Sequence, residues 1–167
     1  MTMRTDKLTT KFQMALQDAQ SLALGRDHQM IEAVHLMLAL LDQAGGSARP
    51  VLQKAGVNVN WFRSQLGDAL ERLPRVAGAP GEVHVSNDLA RLLNMTDKLA
   101  QERKDQYVSS ELFLLAASAD KGQIGELLRA AGADGDAIGR AVDELRGGQT
   151  VADPNAEDQR QALEKYT

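Results

Sequence analysis

The run from Ile31 to Leu41, IEAVHLMLALL, is apolar on nearly every side, and a counterpart, VSSELFLLAAS, begins at Val108, 77 positions downstream. A helix that is hydrophobic all round must be covered all round, so a chain holding two of them must wrap each in further helices. The recurrence extends to the flanks. Phe12, Ala15, Leu16, Ala19, Leu22 and Ala23 follow the i, i+3, i+4, i+7 spacing of one helix face. The same offset lands on Leu89, Leu92, Leu93, Thr96, Leu99 and Ala100, with one polar exception. Thr9 and Thr10 precede the first stripe and Ser86 and Asn87 the second, and all four carry side-chain oxygens able to cap free helix N–H groups.

Downstream, QKAGVNVNWF and RAAGADGDAI match at an offset of 76, which places Gly56 and Gly132 as left-handed helix terminators. Asn60 and Asp136 are then expected to cap a last helix in each half. One carries Phe62, Leu66, Ala69 and Leu70, the other Ile138, Ala141, Val142 and Leu145. The expected architecture is all-α: a tandem duplication of a four-helix repeat, about eight helices in all, packed face to face around a pseudo-two-fold axis. Repeat one covers residues 9–74, a Pro- and Gly-rich loop 75–85, and repeat two 86–148. Two periods of this length are too long and too few for a solenoid. After Gly148 the chain turns polar and loses its apolar period, so residues 149–167 are expected to be a linker leading out of a domain spanning 1–148.

Composition excludes several function classes. Hydrophobic residues make up 43% of the 167 but aromatics only 4%, and the excess of Ala and Leu over β-branched residues favours helix. A net charge of −4 with scattered basic residues argues against a nucleic-acid surface, which needs a basic stripe. The absence of cysteine removes disulfides, thiol nucleophiles and thiolate metal sites together. MTMRTDKLTTKF has no apolar core and no run approaches the roughly 20 residues of a membrane span, so a cytoplasmic protein with no membrane partner is expected.

Catalytic signals are sparse. Glu32 and His35 make an E-x-x-H pair of the kind di-iron bundles aim inward, but such bundles need two pairs and two more carboxylates, and the second half offers Ser109 and Leu112 instead. His35 is therefore read as a helix-edge histidine, and His28 and His84 as polar loop residues. Ser109, Ser110 and Glu111 lack a nucleophile elbow, and Ser109 reads as a helix cap with Glu111 in the first turn near the positive dipole end. No phosphate-binding or dinucleotide glycine pattern occurs. The charged run DKLAQERKD, residues 97–105, reads as the solvated face of its helix.

The stretch DKLTTKFQMALQDAQSLALGRDHQMIEAVHLMLALLDQAGGSARPVLQKAGV resembles the opening of the ClpB-type protein disaggregases. The likeness continues through KLAQERKDQYVSSELFLLAA. It ends at AEDQRQALEKYT, which is similar to the segment leading to the first AAA+ module in that family. The resemblance implies a non-catalytic N-terminal domain that contacts unfolded or aggregated polypeptides and passes them to the pore of an ATP-driven hexamer. The motor, with its ATP and Mg, would lie outside this chain, so no cofactor is expected here and the isolated domain should be monomeric. The family's substrate-handling polar positions correspond to Thr9, Asp105 and Glu111, and its apolar groove to Met95, Leu99 and Leu112. Met95 departs from the leucine common at its position and suits an adaptable surface.

From the residues alone, two readings of these positions stand side by side. Thr9 and Glu111 can be helix caps, Asp105 a loop charge, and Leu99 and Leu112 core, yet the three polar residues converge if the halves pack about a pseudo-two-fold axis. A groove hiding ~400 Å² of apolar surface gains about 10 kcal/mol gross. Association costs on the order of 4–15 kcal/mol, so client binding is expected to be weak and transient. Six copies on one ring would restore avidity. The competing readings are an adaptor-docking N-domain of a Clp protease ATPase and, more remotely, a metal-dependent enzyme centred on Glu32 and His35.

Overall fold

The computed structural model of the chain describes residues 5–76 and 83–157. A 3-10 turn, Thr5–Lys7, leads into α1 (Thr10–Gly25), β1 (Met30–Ile31), α2 (Ala33–Asp42), α3 (Ala48–Lys54) and α4 (Val59–Arg72). The second half repeats the order with β2 (His84–Val85), α5 (Asn87–Glu102), α6 (Ser110–Ser118), α7 (Gln123–Ala130) and α8 (Gly135–Arg146). The two apolar runs are α2 and α6, and seven of the ten residues of α2 and eight of the nine of α6 are buried. All-α architecture and duplication are both present.

The halves do not meet as two closed bundles face to face. They interlock: α3 packs on α8 of the other half, and α7 packs on α4. The lead-in strands are exchanged in the same way. Ile31 pairs in parallel with Val85 and Val108 with Leu8, so one pairing occurs twice with the halves swapped. Matching hydrogen bonds run from Ser86 N–H to the Ile31 carbonyl and from Thr9 N–H to the Val108 carbonyl, each 3.0 Å long. Phe12 of the first half meets Phe113 of the second edge to face, ring centroids 6.2 Å apart. A four-helix half cannot cover its own central helix; the other half supplies the missing walls, and the apolar cluster is continuous across both.

The turns at Gly56 and Gly132 meet near the centre. Both glycines have positive φ, 83° and 102°. A Cβ on Gly132 would lie 3.4 Å from the Gly56 carbonyl oxygen, and Asn58 N–H donates to the Ala131 carbonyl at 2.9 Å. Glycine is favoured here by its left-handed conformation rather than by crowding. Even the unusual backbone is duplicated: Asp27 and Lys104, at equivalent positions, are the non-glycine residues of positive φ among those described.

Thr9 and Ser86 cap α1 and α5 as expected, accepting from Phe12 N–H and Leu89 N–H. The caps of α4 and α8, however, are Asn58 and Asp134 rather than Asn60 and Asp136. The left-handed glycines turn the chain so sharply that the first side-chain oxygen after the turn meets the free N–H groups, and two residues later the backbone is already helical. Loop 75–85 holds β2 at its end; its residues 77–82 lie outside the described part.

Two glycines in helices make opposite predictions. A Cβ on Gly125 would sit 1.9 Å from the Asp120 carbonyl oxygen, whereas one on Gly139 would meet nothing within 4 Å. Gly125→Ala is expected to cost about 2 kcal/mol by overpacking, and Gly139→Ala to stabilise by roughly 0.5–1 kcal/mol. Urea denaturation of the two variants checks this.

Candidate functional site

Arg146, in the last turn of α8, sits on that helix's buried face at 8% exposure. Its guanidinium is a hub. Nε lies 3.2 Å from Glu111 Oε1, Nη1 3.1 Å from Asp105 Oδ1, and Nη2 2.8 Å from Asp105 Oδ2 and 2.9 Å from Ser109 Oγ. Ser47 Oγ reaches the other Glu111 oxygen at 3.4 Å. The side chains of Asp105 and Glu111 are fully shielded from solvent. Two carboxylates in such a place are tolerable only because a planar fork of donors faces both.

Beside this hub the tail returns. Val151 N–H donates to Asp105 Oδ1 at 3.0 Å, and the Val151 carbonyl accepts from Gln106 N–H and Tyr107 N–H at 2.8 and 3.2 Å. Thr10 N–H donates to the Pro154 carbonyl at 2.8 Å and Thr10 Oγ1 to Asn155 Oδ1 at 2.9 Å. Glu157 then places Oε1 2.6 Å from Thr9 Oγ1 and 2.8 Å from Ser110 N–H. Val151 and Glu157 are 2% and 3% exposed. Residues 149–157, expected to lead away as linker, are instead a strap across this end of the domain; residues 158–167 lie outside the described part.

The structure thus brings Thr9, Asp105 and Glu111 together, as the pseudo-two-fold reading anticipated. It also buries all three side chains. Thr9 is a cap and a contact at once, accepting from Phe12 N–H while donating to Glu157. Leu112 is fully buried and offers no surface, whereas Met95 and Leu99 on α5 are half-buried. Ser109 occupies the capping position of α6, but its hydroxyl makes no cap bond and accepts from Arg146. The carboxylate of Glu157 fills the capping role at the positive end of α6. Arg146 and Glu157 escaped the sequence reading. Arg146 had a signal: it falls four residues after Val142 on an apolar stripe, where an arginine implies a buried acid. Glu157 had none, because its partner Thr9 is 148 positions away.

The pseudo-equivalent end of the domain is built differently. His28 stands where Asp105 does, Val34 where Glu111 does and His35 where Leu112 does. His35 is fully buried rather than at a helix edge, and His28, although in the loop between α1 and β1, is 3% exposed. Position 35 faces the core because α2 is covered all round, and His28 follows the α1 terminus inward. His35 Nδ1 accepts Glu32 N–H at 2.8 Å, so its Nε2 carries the proton and donates to His28 Nδ1, also at 2.8 Å. The E-x-x-H pair is spent on backbone capping, and among the described residues no group of three or more His, Asp or Glu is placed to hold a metal.

Burial, reinforced by His28, pushes His35 down to about 4; burial, with Arg75 and Arg26 nearby, also lowers His28. Both folded values lie below the unfolded one, so the unfolded chain binds more protons in the window between pH 6.5 and about 4. Stability should be full above pH 6.5 and fall by roughly 3 kcal/mol as pH drops through that window. His35→Leu, which installs the residue of the second half, should remove most of that slope in urea titrations at stepped pH. At the other end, Arg146→Ala strands two buried carboxylates and should cost about 3–5 kcal/mol at neutral pH, while Arg146→Lys should recover only part because its single ammonium cannot span both acids.

Known proteins share this architecture. The family described as Clp repeat (R) N-terminal domain matches residues 7–131. The chain is 56% identical over 165 residues to the chaperone protein ClpB of Vibrio cholerae and 51% identical over 165 residues to that of Pseudomonas putida, covering 99% of this chain and 19% of each relative. It therefore spans about a fifth of the length of the curated relatives it matches. Among solved structures, the Hsp104 N-terminal domain from Candida albicans superposes with a TM-score of 0.79 at 23% identity, covering 90% of this chain and 99% of that one. A complex of the ClpV N-domain with a VipB peptide gives a TM-score of 0.68 at 22% identity, covering 86% and 91%. The interlocked duplication, the family match from residue 7 to 131 and the likeness to ClpB relatives over nearly the whole chain agree: this chain belongs to the Clp repeat (R) N-terminal domain family.

Proposed function

We propose that this domain is the client-recognition module of an ATP-dependent disaggregase, a weak binder of unfolded or aggregated polypeptides that delivers them to the pore of a cytoplasmic hexamer. The observation that carries the reading is the convergence of Thr9, Asp105 and Glu111 at one end of the molecule. Helix α5, bearing the half-buried Met95 and Leu99, packs along α6, which bears Glu111. A polar, donor-rich end beside partly exposed apolar side chains suits an extended chain whose backbone and side chains both need partners. The fold is compatible with peptide capture, since a ClpV N-domain of the same architecture was solved with a VipB peptide. The domain contributes no chemistry of its own. ATP and Mg belong to the AAA+ modules, which also hold the ring together, and the domain acts as a monomer tethered to them.

The test is NMR titration of the chain with a permanently unfolded polypeptide. Small shifts in fast exchange should cluster around Thr9, Met95, Leu99 and Asp105. Met95→Ser should weaken binding about tenfold by removing apolar contact while leaving the spectrum otherwise folded; Leu99→Ser should weaken it too but also cost stability, since Leu99 packs on the core. Tight binding of a folded adaptor at another face, with no response to the unfolded polypeptide, would favour an adaptor-docking domain instead.

A further inference from the structure

The polar end assigned to clients is already occupied. Residues 149–157 lie across it in the manner of a bound peptide. The Val151 side chain is buried at 2% exposure, its carbonyl is held by two successive backbone N–H groups, and the Pro154 carbonyl is held by a third. Six positions after Val151, Glu157 delivers a carboxylate to the first turn of α6, where Ser110 N–H and the Thr9 hydroxyl both donate to it. Apart from the Val151 slot and Asp105 Oδ1, which accepts from Val151 N–H, the strap is held by donors: Thr10 N–H and O–H, Gln106 N–H, Tyr107 N–H, Ser110 N–H and Thr9 O–H. Those groups read mainly the backbone of the occupant and one anion, with Asn155 the other side chain held.

We propose that residues 149–157 are an internal stand-in for the client, and that an extended polypeptide segment with an apolar residue and a carboxylate about six positions beyond it displaces them. The proposal rests on the client-binding reading above and adds competition to it. Thr9 is bonded to Glu157 and Asp105 to Val151, so these two reach a client only when the strap leaves. Arg146 keeps Asp105 and Glu111 in place in either state. Displacement also frees nine residues of chain, which at full extension lengthen a tether by ~30 Å. Client capture and tether length are then linked, and by reciprocity a pull on the tether favours client binding.

The experiment uses the full chain with reduced, carboxymethylated lactalbumin as the unfolded probe, comparing wild type with Glu157→Gln and Val151→Ala. Both variants weaken the strap, by different contacts, and the amide spectrum verifies that each is folded. The expected result is binding about tenfold tighter in both variants, since the docked fraction no longer divides the apparent affinity. In wild type, probe saturation should speed hydrogen exchange at Val151 N–H while Gln106 and Tyr107 N–H stay protected by the incoming chain. If the probe binds all three proteins equally and Val151 stays protected, the strap is a fixed part of the fold; the proposal fails and the client reading survives. Weaker binding by both variants makes the strap part of the client surface and overturns the displacement. No binding to any of the three sinks the client reading and this proposal with it.

Discussion

Everything in this domain depends on the need to cover two helices that are apolar on all sides. Neither α2 nor α6 can be buried by its own half, since three neighbouring helices leave part of each surface open to water. The solution is exchange: α3 on α8, α7 on α4, and lead-in strands crossed between halves. Cohesion is thereby cooperative. Opening one half exposes the central helix of the other, and the two behave as a single unit despite their separate origin in sequence.

Duplication constrains the backbone more tightly than the side chains. The glycine turns, the left-handed Asp27 and Lys104 and the exchanged bridges recur because a helix exit angle or a strand register has few solutions. The polar interior had more freedom. One end carries a neutral histidine pair, fixed by the Glu32 backbone. The other carries Arg146 with Asp105 and Glu111. Burial holds the first uncharged, while at the second the guanidinium allows carboxylates to persist out of water. Divergence of this kind turns a symmetric scaffold into one with a single distinctive end.

That end shows how one side chain can serve two contacts at once. Thr9 caps α1 and also donates to Glu157, because a free hydroxyl at a helix start can serve the helix as acceptor and a neighbour as donor. Asp105 binds Arg146 and also the Val151 N–H through one oxygen. Removing such a side chain disturbs the helix or ion-pair contact and the strap contact together. Half-buried Met95 is better separated from the core than Leu99, which packs against it, or Leu112, whose complete burial makes it a packing residue.

Much of this was written in local pattern. Helical period, capping oxygens and glycine position belong to stretches of a few residues, so the number of helices, the duplication and the caps of α1 and α5 were legible directly. The resemblance of whole stretches to a known family also named the polar residues that turned out to converge. What tertiary structure alone decided was contact between distant segments: that the halves interlock, that His28 and His35 share a proton bridge in the interior, that Arg146 gathers two acids, and that Glu157 caps a helix begun 47 positions earlier. No local period encodes these. A buried charge or a long-range cap is set by what the rest of the chain brings to it, and that is settled only when the core closes.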